Sequence, residues 1–230
     1  VDRQAAEMGI RIVVTLLVML LPFQIYAALK KMKTGRFFGH CQGEWRDILG
    51  LVLIGLALNL LLTFIVGILA LVLSWSNIQF TSSELILQGK LPAVILSLIY
   101  IVVISPFCEE FIFRGVCLRS FGRMGNYFAI FASSLLFSFM HGNLINILPS
   151  FCLGIFLAVV TMRFNAILPP LLFHIAINLQ TVALQQVPVQ YSWIIGLSCV
   201  VIYALALFAL IRGRHKRIIV RKEANPWILI

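Results

Sequence analysis

The stretch Leu91-Pro-Ala-Val-Ile-Leu-Ser-Leu-Ile-Tyr-Ile-Val-Val-Ile-Ser105-Pro-Phe-Cys-Glu109-Glu110-Phe-Ile-Phe-Arg114-Gly115 decides the fold. It runs from Leu91 to Cys108 without a charge, then presents two adjacent carboxylates and an arginine. An apolar run of about 20 residues is what a helix needs to cross a hydrocarbon core. A charge at that depth costs at least a few kcal/mol, so intramembrane ionisable residues are functional candidates whose partners must be sought.

The surroundings share this character. The chain has 230 residues, is 61% hydrophobic and 11% charged, and has a mean hydropathy of +1.04, too little polar surface for a soluble domain of its size. Apolar runs fall at roughly 10–29, 48–74, 91–118, 127–147, 147–164, 166–187 and 192–211. They predict an all-α polytopic membrane protein, a bundle of about seven transmembrane helices. Between the fourth and fifth runs lie only His141-Gly-Asn143, Asn146 and Pro149, so that boundary is the least defined. The first run is long and ends in a basic cluster, which reads as a retained span rather than a cleaved signal. The first, second and last runs carry almost nothing polar in their middles and read as lipid-facing scaffold.

A net charge of +10 invites a nucleic-acid partner, but its distribution argues for none. Lys30, Lys31, Lys33, Arg36 and Arg46 follow the first run; Arg114, Arg119 and Arg123 end the third, and Arg163 ends the fifth. Arg212, Arg214, Lys216, Arg217, Arg221 and Lys222 form the tail. The positive-inside rule puts all of these in the cytoplasm and leaves Arg3, Arg11 and Lys90 on the other side, with the N-terminus out and the C-terminus in. An anionic lipid surface is the expected partner of the tail. Trp75, Tyr191 and Trp193 fall at outer-surface ends, as interfacial aromatics do. The five cysteines, Cys41, Cys108, Cys117, Cys152 and Cys199, show no paired spacing and read as small apolar packing residues.

On a helix Glu110 and Arg114 are four apart with Glu first, the favourable order for an ion pair. A helix-end clamp is the plain alternative for that pair. Glu109 points about 100° away from Glu110 and needs a partner from another helix. Two histidines are available: His141, after Phe137-Ser-Phe-Met140, and His174, which shares a helix face with Asn178. Each also has a plain reading as a satisfied structural histidine. Pro106, Pro149 and Pro169-Pro170 fall near these clusters, and each removes a backbone donor, freeing a carbonyl that a polar side chain or water must satisfy.

Three elements in order, Glu-Glu-x-x-x-Arg at 109–114, Phe-x-x-x-His at 137–141 and His-x-x-x-Asn at 174–178, carry a resemblance. Over about residues 91–190 the chain resembles the CPBP, or Abi, family of intramembrane proteases, whose eukaryotic relatives are the CAAX prenyl endopeptidases. The resemblance divides the chain into scaffold helices (1–90), a protease core (91–190), and a last helix with a basic cytoplasmic tail (191–230). It places the catalytic residues on the third, fourth and sixth helices. It implies Glu109 as the catalytic carboxylate, Glu110 and Arg114 as its support, and His141, His174 and Asn178 as partners. Glu109 with His141 would activate a water against a peptide bond of a membrane-embedded peptide or protein, while His174 and Asn178 stabilise the oxyanion.

The implied location is a bacterial cytoplasmic membrane, and bacteriocin immunity is a family-level association. No cofactor is expected; zinc, held by two His and a Glu, is the rival reading, although the chain lacks His-Glu-x-x-His spacing. Two readings from other classes stay open: a non-catalytic immunity or sensor-binding scaffold, and a transporter, since midplane ionisable residues also mark substrate paths. Reporter fusions test the topology: a fusion in the Ser76–Gly89 loop should report the outer side and one after Arg214 the cytoplasm. A cytoplasmic Ser76–Gly89 loop would sink it.

Overall fold

The computed structural model describes residues 3–38, 45–75 and 90–213. Cys41, the loop 76–89 and the basic tail from Arg214 onward lie outside the described residues. Among those described, all regular structure is helical: α1 Arg3–Leu29, α2 Trp45–Ser74, α3 Leu91–Met124, α4 Asn126–Phe139, α5 Leu144–Phe164, α6 Leu168–Gln185 and α7 Ser192–Gly213. Single helical turns occur at Thr34–Phe38 and Val189–Tyr191. α1 and α3 stay continuous through wider turns, closed by i→i+5 hydrogen bonds, at Leu16–Leu20, Tyr100–Ile104 and Phe111–Cys117. Four helices, Arg3–Leu29, Arg46–Ser74, Leu91–Met124 and Ile145–Phe164, are long and apolar enough to cross a membrane.

Helix ends follow local chemistry. α3 starts after Lys90 with Pro92 in its first turn, and α6 carries Pro169 and Pro170 in its first turn, where a missing N–H costs nothing. The fourth apolar run stops earlier than its composition suggests: α4 ends at Phe139, not near 147. Gly142 takes a left-handed φ of 63°, which glycine adopts without strain, and Asn143 Oδ1 accepts the Ile145 N–H at 3.0 Å to cap α5. The 14 residues of α4 rise about 21 Å, short of the roughly 30 Å of a hydrocarbon core.

The helices pack so that α3, α4 and α6 meet, with α5 behind α4 and α2 against α5, α6 and α7. Gly154 lets α5 approach α4 closely: a Cβ there would lie 3.0 Å from Ser134 Cβ and 3.1 Å from its Cα. One buried apolar cluster joins Phe111, Ile112, Phe113 and Val116 of α3 to Phe137 of α4, Ile167, Ala27 and Phe37. Polar contacts tie the first two helices to the rest of the bundle. Asn59 of α2 donates to Gln180 Oε1 at 2.9 Å on α6, and the Thr15 and Tyr100 hydroxyls meet at 3.2 Å between α1 and α3.

Phe37, in the turn after α1, closes the base of this cluster. It is 2% exposed, stacks near Phe111 at 5.8 Å between centroids, fits against the bare Cα of Gly115, and lies under the Arg119 guanidinium at 4.7 Å. Its carbonyl also accepts the Ile167 N–H at 2.8 Å, tying the α1–α2 connection to the start of α6. Phe37→Ala should therefore cost about 3–5 kcal/mol, read as a clear fall in the thermal midpoint of the detergent-purified protein; an unchanged midpoint would show that the turn does not hold the bundle.

Candidate active site

Four ionisable side chains converge where α3 meets α6: Glu109, Glu110 and Arg114 on α3 and His174 on α6. All are buried, Glu110 and Arg114 essentially completely. Arg114 Nε lies 3.3 Å from Glu110 Oε2, the ion pair that i, i+4 spacing predicts. Arg114 Nη2 donates to the Gly154 carbonyl at 3.2 Å, and its guanidinium carbon sits 4.4 Å above the centre of the Phe137 ring. The arginine is thus held by three helices and does not reach toward a membrane surface.

His174 is the bridge between the carboxylates. Its Nδ1 lies 2.9 Å from Glu110 Oε1 and its Nε2 lies 3.6 Å from Glu109 Oε2. With Glu110 ionised, the 2.9 Å contact is a donated Nδ1–H, which sets the ring's orientation and turns Nε2 toward Glu109. Two carboxylates share this site with one arginine and one imidazole, and pairing of this kind is what makes a buried polar cluster tolerable.

Glu109 has a second neighbour that sequence reasoning did not single out: the Ser105 hydroxyl donates to its Oε1 at 2.5 Å. Asn178 donates from Nδ2 to the Ile101 carbonyl of α3 at 2.9 Å. That carbonyl has lost its usual donors. The Ser105 N–H is drawn to Tyr100 O in the wide turn, and the next residue, Pro106, has no N–H. The expectation that a proline frees a carbonyl for a polar side chain is met at this position.

His141 is placed differently. It lies in the turn just past α4, is exposed, and its Nδ1 is 3.1 Å from the Phe137 carbonyl. Among the described residues no ion pair joins it to Glu109; the histidine facing Glu109 is His174. Phe137 packs against both imidazoles, meeting His141 edge-on at 5.0 Å and His174 at 5.8 Å between centroids. It is fully buried, and Phe113 packs edge-on against it at 5.5 Å. The sequence signal for this wall was its i, i+4 spacing from His141.

A family model described as Rce1-like, type II CAAX prenyl endopeptidase Rce1-like, matches residues 91–180. Over these residues the chain is similar to the Rce1-like family. This matched segment contains all seven motif positions, and the resemblance to CPBP/Abi proteases agrees with it. With four helices among the described residues long and apolar enough to cross a membrane, the chain is a membrane protein with a segment similar to a protease family. No curated protein and no solved structure matches the chain.

The buried ion pair makes a stability prediction. Arg114→Met alone strands Glu110 in the core and should destabilise by about 3–5 kcal/mol. Adding Glu110→Gln removes the stranded charge and should recover part of that loss. Thermal midpoints of the two variants check this; a double variant less stable than Arg114→Met would contradict the pairing.

Proposed function

We propose that the chain is an intramembrane endopeptidase built on a seven-helix bundle, in which Glu109 activates a water against a peptide bond of a membrane-embedded peptide or protein. The observation that carries this reading is the 3.6 Å separation between Glu109 Oε2 and His174 Nε2. It is too long for a direct hydrogen bond and suits two groups that share one water. Glu109 takes the proton from that water as it attacks the carbonyl. Glu110 orients His174, and in its protonated form His174 offers Nε2–H to the developing oxyanion, a contribution of about 2.7–4 kcal/mol per donor in soluble precedents.

Asn178 uses one amide proton on the Ile101 carbonyl and keeps a second for the same oxyanion. His141, the exposed imidazole of the set, delivers a proton to the leaving amine. This role differs from the one the motif resemblance implies; the imidazole paired with Glu109 is His174. We assign the enzyme to a bacterial cytoplasmic membrane with its C-terminus inside, the side that the basic connections favour.

The donor set argues against the zinc version. A catalytic zinc takes three protein ligands and keeps a fourth position for water. No group of three His, Cys, Asp or Glu side chains able to hold a metal occurs among the described residues. We therefore propose a metal-free reaction.

The test compares membrane peptides from cells expressing the wild type, Glu109→Gln and His174→Ala at matched levels. Peptides released by the wild type should disappear with Glu109→Gln and fall at least a hundredfold with His174→Ala, on the scale of one lost oxyanion donor, about 10²–10³. The same release should persist in a metal chelator. Full function of both variants would favour the scaffold reading, and chelator-sensitive release restored by zinc would favour the metal enzyme.

A further inference from the structure

Helical serines and threonines in this chain ordinarily turn their hydroxyls back to a carbonyl of the preceding turn. Ser97 donates to Ala93 O at 2.8 Å, Thr63 to Asn59 O at 2.8 Å and Thr161 to Leu157 O at 2.7 Å, each four residues back. Ser105 departs from that pattern. The carbonyl four residues before it is Ile101 O, and Asn178 of α6 already donates there at 2.9 Å. The Ser105 hydroxyl instead reaches forward to Glu109 Oε1 at 2.5 Å, the short distance of a hydrogen bond to a charged acceptor.

We infer that Ser105 is a positioning residue for Glu109, and that Asn178 sets it by occupying the carbonyl that the serine would otherwise bind. This rests on the reading of Glu109 as the catalytic base. The chain of contacts runs Asn178 Nδ2 to Ile101 O, then Ser105 Oγ to Glu109 Oε1, and it leaves Oε2, on the side of His174 Nε2, to face the water. A carboxylate has two equivalent oxygens and a free rotation about its last bond. The serine on one oxygen and the imidazole opposite the other hold the carboxylate plane in a single orientation. The wide turn at Tyr100–Ile104 and the missing N–H of Pro106 are what make the Ile101 carbonyl available to α6, so the same backbone irregularity that docks α6 releases the serine.

Asn178 therefore acts on Glu109 at a distance, through Ser105, apart from any contact it makes with a reacting carbonyl. If the asparagine is removed, the serine can return to Ile101 O as its counterparts do, and Glu109 loses its anchor. The two residues should then behave as one unit, with effects that do not add.

Two readouts test this, and the first needs no protease activity. Dicyclohexylcarbodiimide modification of Glu109 in membranes, followed by peptide mass spectrometry, reports whether Oε1 is covered by a hydroxyl donor. Ser105→Val should label severalfold faster than the wild type, and Ser105→Thr, of the same shape as Val but with the hydroxyl, should label at the wild-type rate. Asn178→Ala should accelerate labelling as Ser105→Val does, and the double variant should be no faster than either.

In the second readout, release of the peptides that Glu109→Gln fails to produce should fall in Ser105→Val by about tenfold to hundredfold, the scale of a small misplacement of a reacting group. It should be restored in Ser105→Thr, with thermal midpoints unchanged in both. Equal labelling of the Val and Thr variants, or additive effects in the double variant, would overturn the inference while leaving the endopeptidase reading intact. Altered labelling with no peptide release by any form, the wild type included, would overturn the endopeptidase reading and leave the serine's placement standing.

Discussion

Two carboxylates inside an apolar bundle must be balanced by charges and donors brought from elsewhere, and most of the structure around them follows from that requirement. Glu110 is fully buried between Arg114 on its own helix and His174 on α6. Removing ions from water costs several kcal/mol each, and their mutual attraction offsets this only when geometry and hydrogen bonds are good. The neighbours supply that geometry. Gly154, where α5 lies close against α4, offers Arg114 a carbonyl, and Phe137 gives the guanidinium a ring face. The tight α4–α5 contact, the aromatic wall and the α3–α6 contact are thus parts of one solution to burying charge.

The backbone of α3 contributes as much as its side chains. Wide turns at Tyr100–Ile104 and Phe111–Cys117 flank the glutamate pair, and Pro106 lies between them. Such turns often mark functional sites because they rotate side chains and release carbonyls that a regular helix would consume. Here the released carbonyl of Ile101 becomes a docking point for Asn178, and the serine next to Pro106 is turned onto Glu109. A regular helix with the same side chains would bond the Ile101 carbonyl to the Ser105 N–H and leave Asn178 without that acceptor.

Much of this is legible in the amino-acid sequence. Hydropathy calls for a helical membrane protein, all regular structure among the described residues is helical, and the motif order points to the protease family that the 91–180 match names. The Glu110–Arg114 pair follows from spacing alone, since residues four apart on a helix share a face. Other features are hidden for physical reasons. The end of α4 at Phe139 depends on the left-handed Gly142 and the Asn143 cap, which a hydropathy average smooths away. Phe37 looks like part of a basic connecting loop, and only the packed structure puts it in the core. Asn59 sits in an apolar run with no visible partner until α6 supplies one.

What the sequence determined by itself was the inventory and its short-range order: which helices form, which residues share a face, and which charges need partners. Those relations hold within a turn or two because helix geometry sets them regardless of what lies nearby. The tertiary structure decided which partner each charge received. It gave Glu109 to His174 and Ser105 and left His141 exposed against the edge of Phe137. A cross-helix contact depends on where each helix ends, how the axes cross and which carbonyls stay free, and a change of one residue in any of these moves a side chain by roughly 100° around its axis. No spacing rule along one chain contains that information.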